Sequence, residues 1–451
     1  MGARLVWENI YKAWQRSRAY RWILTATLLY VLVRLGAQVY YLVLFFDLAP
    51  TQGYLTPPDL QLYLDASKHL LNRQDLYTLG PLMDTTVYHY TPSFALAFIP
   101  FLWMSPQVAA VVHTFIHFPV YVLLYLGWAR IFRKTGLKKA EETMALAMPL
   151  WLVFSAFWGE LAWLNIYVLM ALLATLLVEA VLEERLVESL LWLSILLQIK
   201  PQWAFAAVLP LLLGRWRLFY KLMLLTLLIY LGIFGAILWV TGPSYGLEQY
   251  FNYFLFLSNL SKNFPWHEAG RAYLGYNHSI AQLVIYWLGV SPVAMRVVTG
   301  IKLLFLAPLA FIALRCLLES VKDRERTLSP TLSLDLAFAL YLGAFLWLDM
   351  VWELMLGIAV FTYLWATSKP GLVKLGMGSV FVCYAFIDFW RLVSYIIFGS
   401  EVLSSNLDVL SDPALYFPII TVVMLTFYAL LLSRLWQPVK QGKVVVRYET
   451  G

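Results

Sequence analysis

Long apolar runs recur along the 451 residues, and their length sets the class of protein. A helix needs about 20 apolar residues to cross a bilayer. Runs of that order fall at roughly 22–46, 107–131, 141–158, 161–182, 187–200, 201–214, 218–241, 292–317, 331–348, 350–367, 372–398 and 414–434. The stretch 187–214 is barely long enough for two crossings, which predicts a tight or broken hairpin at Lys200-Pro201. Runs 92–104 and 278–290 are too short to cross and read as re-entrant or interfacial helices on one side. The basic start MGARLVWENIYKAWQRSRAYR precedes an apolar run too long for a signal peptide, with no small-residue cleavage site, so it leads into a first span. The pattern predicts an all-α polytopic membrane protein of about 12 transmembrane helices, one domain over 1–451.

Composition narrows this further. Hydrophobic residues make up 61% of the chain and charged residues 13%, about half the share in a soluble domain. A soluble globule could not hide that much apolar surface, which excludes an ordinary cytosolic enzyme, and a disordered chain is excluded as well. The two cysteines, Cys316 and Cys383, sit in apolar runs and read as small core residues. The net charge of +7 resolves into a topology signal. With the N-terminus inside, 24 of the 33 Lys and Arg fall on cytoplasmic segments, as the positive-inside rule requires. The expectation is a multi-pass plasma-membrane protein with both termini cytoplasmic and external loops at about 47–91 and 242–277. Nucleic acid is not an expected partner; membrane lipids are. The sequence holds neither a Walker loop nor a dinucleotide-binding fingerprint, and no loop is long enough for a nucleotide-sugar domain.

Polar residues unusual at membrane depth collect at the external ends: Glu160, Asn165, Lys200, His278, Asp349, Glu353, Asp388 and Arg391. Such groups are expensive in lipid and face a cavity or each other. The first loop contains PPDLQLYLDASKHLLNRQDLY, with apolar residues at helical spacing behind Pro57-Pro58. Asp59 at the helix start is either an N-cap or a catalytic carboxylate at a cavity rim. Asp65 lies on another face and reads as solvated or as a residue supporting the site from behind.

The first loop resembles that of glycosyltransferase family 87, enzymes of the GT-C fold that use polyprenyl-phosphate sugars. Its pattern D-L-x-x-Y-x-x-A-x-x-L-L-x-G-x-D-x-Y is matched by Asp59-Leu60, Tyr63, Ala66, Leu70-Leu71, Asp75 and Tyr77, with Arg73 where Gly is usual. Tyr88-His89-Tyr90-Thr91-Pro92 is similar to the aromatic-x-Tyr-Pro-Pro that follows, with Thr91 for one Pro, and Lys200-Pro201 to a Lys-Pro before a basic turn, here Gly214-Arg215-Trp216-Arg217. Asn277-His278-Ser279 resembles an Asn-Gln-Ser; Asn165 is what remains of a Gly-Gln-x-Asn. Trp347-Leu348-Asp349-Met350 stands where the family has Trp-x-His-His, so both His are missing and their role is open. The resemblance implies a GT-C-like fold with an extracytoplasmic first loop bearing short helices, Asp59 as general base, inversion at the sugar, and no metal or other cofactor. The implied partners are a polyprenyl-phosphate-sugar donor, mannose favoured, and a lipid or cell-envelope glycan acceptor.

Transfer from a lipid phosphate needs a base for the acceptor hydroxyl and cations for the leaving phosphate. Beside Asp59, the candidate donor- and substrate-binding residues are Tyr63, Tyr90, Lys200, Arg271, Asn277, His278, Asp349, Glu353 and Arg391. Bland readings stand beside them: Lys200 snorkels or caps the hairpin, Arg271 is a solvated loop charge, His278 is simply hydrogen-bonded, and Arg391 pairs with Asp388 on one helix. Asp349 and Glu353, four apart, are expected to share a helix face and to bind a cation, bind sugar hydroxyls, or pair with Lys302 or Arg391. His113 and His117 share a face without a third ligand at metal spacing. Two further readings are an envelope polysaccharide ligase or polymerase, against which loop 242–277 has Arg271 alone, and a transporter, which predicts an internal repeat that the sequence lacks.

Overall fold

The computed structural model describes residues 2–48, 55–77, 88–264, 266–270, 273–322, 328–398 and 412–440. Helices account for the regular structure, and no strand occurs among the described residues. The N-terminal part comprises α1 (Gly2–Arg16), α2 (Arg18–Leu48), α3 (Pro58–Leu71) and α4 (Pro92–Ala97), the last continued by a 3₁₀ turn over Ile99–Trp103. Next come α5 (Pro106–Lys134), α6 (Lys138–Leu146), α7 (Met148–Val153), α8 (Ser155–Trp163), α9 (Tyr167–Leu182) and α10 (Leu186–Ile199). A 3₁₀ stretch over Pro201–Val208 leads into α11 (Leu209–Leu212), then α12 (Trp216–Thr241), α13 (Pro243–Asn263) and α14 (Ile280–Leu288). The remainder is α15 (Pro292–Lys322), α16 (Pro330–Trp347), α17 (Gly357–Thr367), α18 (Leu372–Ala385), α19 (Ile387–Phe398) and α20 (Ile419–Lys440).

Local chemistry explains many of the starts. Pro58, Pro92, Pro106, Pro243, Pro292 and Pro330 each open a helix, where the missing N–H costs nothing. Ser105, Ser279 and Ser329 cap theirs by accepting the N–H of Val108, Gln282 and Leu332.

The chain is an integral membrane protein, and among the described residues six helices are long and apolar enough to cross a bilayer, or eight if two bent pairs each count as a span. The six are in α2, α5, α12, α15, α16 and α20; the pairs are α6 with α7–α8, bent by 54°, and α18 with α19, bent by 48°. This is fewer than the apolar runs predict. Hydropathy counts apolar residues, whereas a span needs an unbroken helix, and several runs are interrupted. The run through Trp163 and Tyr167 breaks at Leu164, whose φ of +55° is left-handed. With a rise of about 1.5 Å per residue, the 16 residues of α9 fall short of a hydrocarbon core about 30 Å thick. The expected break at Lys200-Pro201 is present: α10 ends at Ile199, and Lys200 is extended before the 3₁₀ turn.

Burial separates two kinds of helix. α12 exposes nearly its whole circumference, with 11% of its apolar window buried, whereas 72% of that of α16 is buried. α9, α16 and α17 thus form the protein's interior, and α2, α12 and α15 face lipid. The short, broken helices lie inside, where neighbouring protein satisfies backbone groups that lipid could not.

Candidate functional site

The break between α8 and α9 builds one wall of a cavity of about 190 Å³. Leu164 turns the chain out of α8, so that Glu160 and Asn165, on either side of the turn, both face it. Asn165 is held from three sides. Its side-chain oxygen accepts the Ile166 N–H at 2.6 Å and the Tyr63 hydroxyl at 3.2 Å, and its carbonyl accepts from His117 Nε2 at 2.6 Å. The amide Nδ2 is thereby aimed at Asp59 and donates to Asp59 Oδ2 at 2.8 Å.

Asp59 is the second residue of α3, behind Pro57 and Pro58, and its carboxylate makes no capping bond. The N-cap reading of this residue does not hold. Asp59 Oδ1 has no hydrogen-bond partner among the described residues. Burial pushes the carboxyl up from its ordinary value, offset in part by the Lys200 ammonium and by the Asn165 amide. Lys200, 2% exposed, donates to the Tyr167 hydroxyl at 2.9 Å and lies 4.7 Å from the centre of the Tyr90 ring. Tyr90 and Tyr63 share a hydroxyl–hydroxyl bond of 3.0 Å with rings edge to face. The first-loop residues Asp59, Tyr63 and Tyr90 are therefore brought together with Lys200 and Asn165 in one hydrogen-bonded and charged cluster.

The opposite wall comes from the second half of the chain. Asp349 and Glu353 do not share a helix face, because α16 stops at Trp347 and residues 348–356 are irregular. They consequently do different things. Asp349 accepts from Lys302 Nζ at 2.6 Å, one of the pairings expected for it. Glu353 lines the cavity and accepts the Tyr384 hydroxyl at 2.8 Å. A Cβ added to Gly159 would sit 2.9 Å from Glu353 Oε1, so glycine there lets this carboxylate approach α8. Arg391 also lines the cavity. Its partner is Asp412 at 2.8 Å, not Asp388, which instead binds Arg34 at 2.9 Å.

Asn277 faces the cavity and ties two loops together. Its Nδ2 donates to the Asp349 carbonyl at 2.9 Å, and its Oδ1 accepts the N–H groups of Ser279 and Val351 at 3.1 and 3.0 Å. His278 does not line the cavity; it is 1% exposed, with Nδ1 accepting from the Ile420 N–H at 3.4 Å. Burial lowers its pKa to about 4, so it is neutral and is not a phosphate cation. Arg271 lies outside the described residues. Among the four basic candidates, Arg391 is the one that lines the cavity among the described residues.

Sequence reasoning left several lining residues out of the site: Trp163, Trp352, Phe264, Tyr276, His267 and Gln282, along with Glu160. Glu160 and Asn165 carried a signal, polarity at membrane depth. The aromatic residues carried none, because interfacial belts are equally rich in Trp and Tyr. Among the described residues no group of three or more His, Cys, Asp or Glu side chains is arranged to hold a metal ion. The cavity instead offers carboxylates, amides and aromatic faces, a set that binds hydroxyl-rich, uncharged surfaces, together with one guanidinium for an anion.

Comparison with family models, curated proteins and solved structures finds no match for this chain.

Proposed function

We propose that the protein is a GT-C-like membrane glycosyltransferase that moves a hexose, mannose favoured, from a polyprenyl-phosphate donor to a lipid or cell-envelope glycan acceptor. The observation that carries the reading is the convergence of Asp59, Asn165, Glu353 and Arg391, drawn from four distant parts of the chain, on one cavity in a protein of apolar spans. In the proposed reaction Asp59 Oδ1 takes the proton of the acceptor hydroxyl, whose oxygen attacks the anomeric carbon. The bond from that carbon to the phosphate oxygen breaks, and the lipid phosphate leaves with the electron pair. Asn165 holds the other carboxylate oxygen and so fixes the base, and Lys200 favours its charged form. Arg391 faces the leaving phosphate. Glu353, Glu160, Trp163 and Trp352 line the space for the sugar. The single base fits one displacement with inversion. The site faces outward and both termini lie in the cytoplasm, in agreement with the charge distribution along the sequence.

Purified protein given polyprenyl-phosphate hexoses and envelope lipids is expected to release polyprenyl phosphate and form a glycosylated lipid. Absence of transfer from every such donor, with a solute moved across vesicles containing the protein, contradicts the reading in favour of a transporter.

A further inference from the structure

The first helix has a use that the cavity does not explain. α1 carries two neighbouring apolar stripes. Val6 and Ile10 are buried against the protein, where α1 packs on α5 and α6. Beside them on the helical wheel run Trp7, Tyr11 and Trp14, spaced by four and three residues. Trp7 and Tyr11 are each 61% exposed. Two large aromatics left uncovered on a helix already docked by its other stripe match the amphipathic rings found at bilayer interfaces.

The opposite arc is basic. Arg4 pairs with Glu8 at 3.1 Å, but Lys12, Arg16, Arg18 and Arg21 are exposed and have no carboxylate partner among the described residues. Lys138 and Lys139 extend this charge on the neighbouring α6, which adds one exposed carboxylate, Glu142. Chain direction places the patch. Gln38 of α2 donates to the Leu161 carbonyl beside the cavity, and Arg18 is 20 residues back along the same helix. At about 1.5 Å per residue that puts the patch at the far end of the molecule from the cavity, on the opposite side of the bilayer.

We propose that α1 lies along the membrane surface opposite the cavity and binds anionic phospholipid headgroups, its aromatic stripe at the headgroup level and its basic arc on the phosphates. Three observations single out this occupant. The surplus of unpaired cations complements a negative surface, the uncovered aromatics match an interface, and α1 runs directly into α2, whose apolar residues already face lipid. The proposal stands independently of the transfer reaction.

The test uses the full chain in detergent, titrated with phosphatidylglycerol or phosphatidylcholine, with bound lipids counted by native mass spectrometry. Phosphatidylglycerol is expected to bind more tightly than phosphatidylcholine. The triple variant Lys12→Gln, Arg16→Gln, Arg18→Gln should weaken phosphatidylglycerol binding about fivefold per charge removed and leave phosphatidylcholine unchanged. The charge-keeping variant Lys12→Arg, Arg16→Lys, Arg18→Lys should retain it. Equal binding of the two lipids by the wild type, or undiminished phosphatidylglycerol binding by the triple variant, overturns the proposal. A second measurement leaves every one of these cations but Lys12 in place. In a Cys383→Ala background, with Cys316 buried, a nitroxide at Trp7→Cys should be relaxed by oxygen in bilayers and one at Lys12→Cys by a water-soluble nickel chelate. Chelate access at both positions contradicts a surface-lying helix.

Discussion

Asp59 owes its character to what surrounds it, not to its place in a motif. A carboxylate two residues into a helix ordinarily caps backbone N–H groups. Here the two prolines before it move the helix start, and Asn165 takes one oxygen while the other is left toward the cavity. Burial pushes the Asp59 pKa up to about 6. A base must be ionised, so the sign is definite: transfer should fall as pH drops through about 6 and level off above it. A pH–rate profile on kcat/KM checks this, and a flat profile from pH 5 to 8 would count against Asp59 as the base. Gly159 makes a second residue-scale prediction. In Gly159→Ala the new methyl must displace the Glu353 carboxylate and disturb its bond from Tyr384. Transfer should slow about tenfold, the cost of roughly one hydrogen bond at the site, with the protein still folded. An unchanged rate would remove Glu353 from the site.

At the scale of elements, the cavity wall depends on how α2, α8 and α19 are clamped. Arg34 on α2 binds Asp388 on α19 at 2.9 Å and reaches the Trp158 carbonyl on α8 at 3.4 Å. Tyr30 adds a hydroxyl to the same carboxylate. Both charges are almost wholly buried, so breaking the pair leaves Asp388 uncompensated. Arg34→Met should destabilise the protein by about 3 kcal/mol or more, seen as a lower thermal midpoint in detergent. Arg4→Met, at an ion pair fully on the surface, is the control that should not shift. This scale also shows what could be read in the sequence. Apolar runs and the Lys200-Pro201 break were legible because composition and proline act locally. The split of Asp388 and Arg391 between Arg34 and Asp412 was not, since spacing on one helix suggested they pair with each other. The same reasoning placed Asp349 and Glu353 on one helix face. Helix α16 ends two residues before Asp349, and a stop signal without Gly or Pro is invisible to periodicity.

For the whole molecule, the short interior helices and the long lipid-facing ones divide the work. α2, α12 and α15 hold the protein in the bilayer, and the broken segments among them bring irregular backbone to membrane depth, where it can line a cavity. The orientation proposed from charge predicts that a membrane-impermeant thiol reagent labels Gln74→Cys in intact cells but not Lys139→Cys, each in a Cys383→Ala background. The opposite pattern would invert the molecule and turn its cavity to the cytoplasm. The resemblance in the first loop brought Asp59, Tyr63 and Tyr90 into view from sequence. Glu160, Asn165 and Glu353 were legible only as polar residues at membrane depth; their pairing with Asp59 in one cavity emerges once the chain is folded, because the α8–α9 break and the irregular stretch 348–356 are far apart in sequence. The most direct measurement is transfer from a polyprenyl-phosphate hexose to envelope lipid by purified wild type and Asp59→Asn, with folding of both verified. The account predicts transfer by the wild type and a loss of at least about a hundredfold in the variant, the usual contribution of a positioned base. Equal rates from two folded proteins would contradict it.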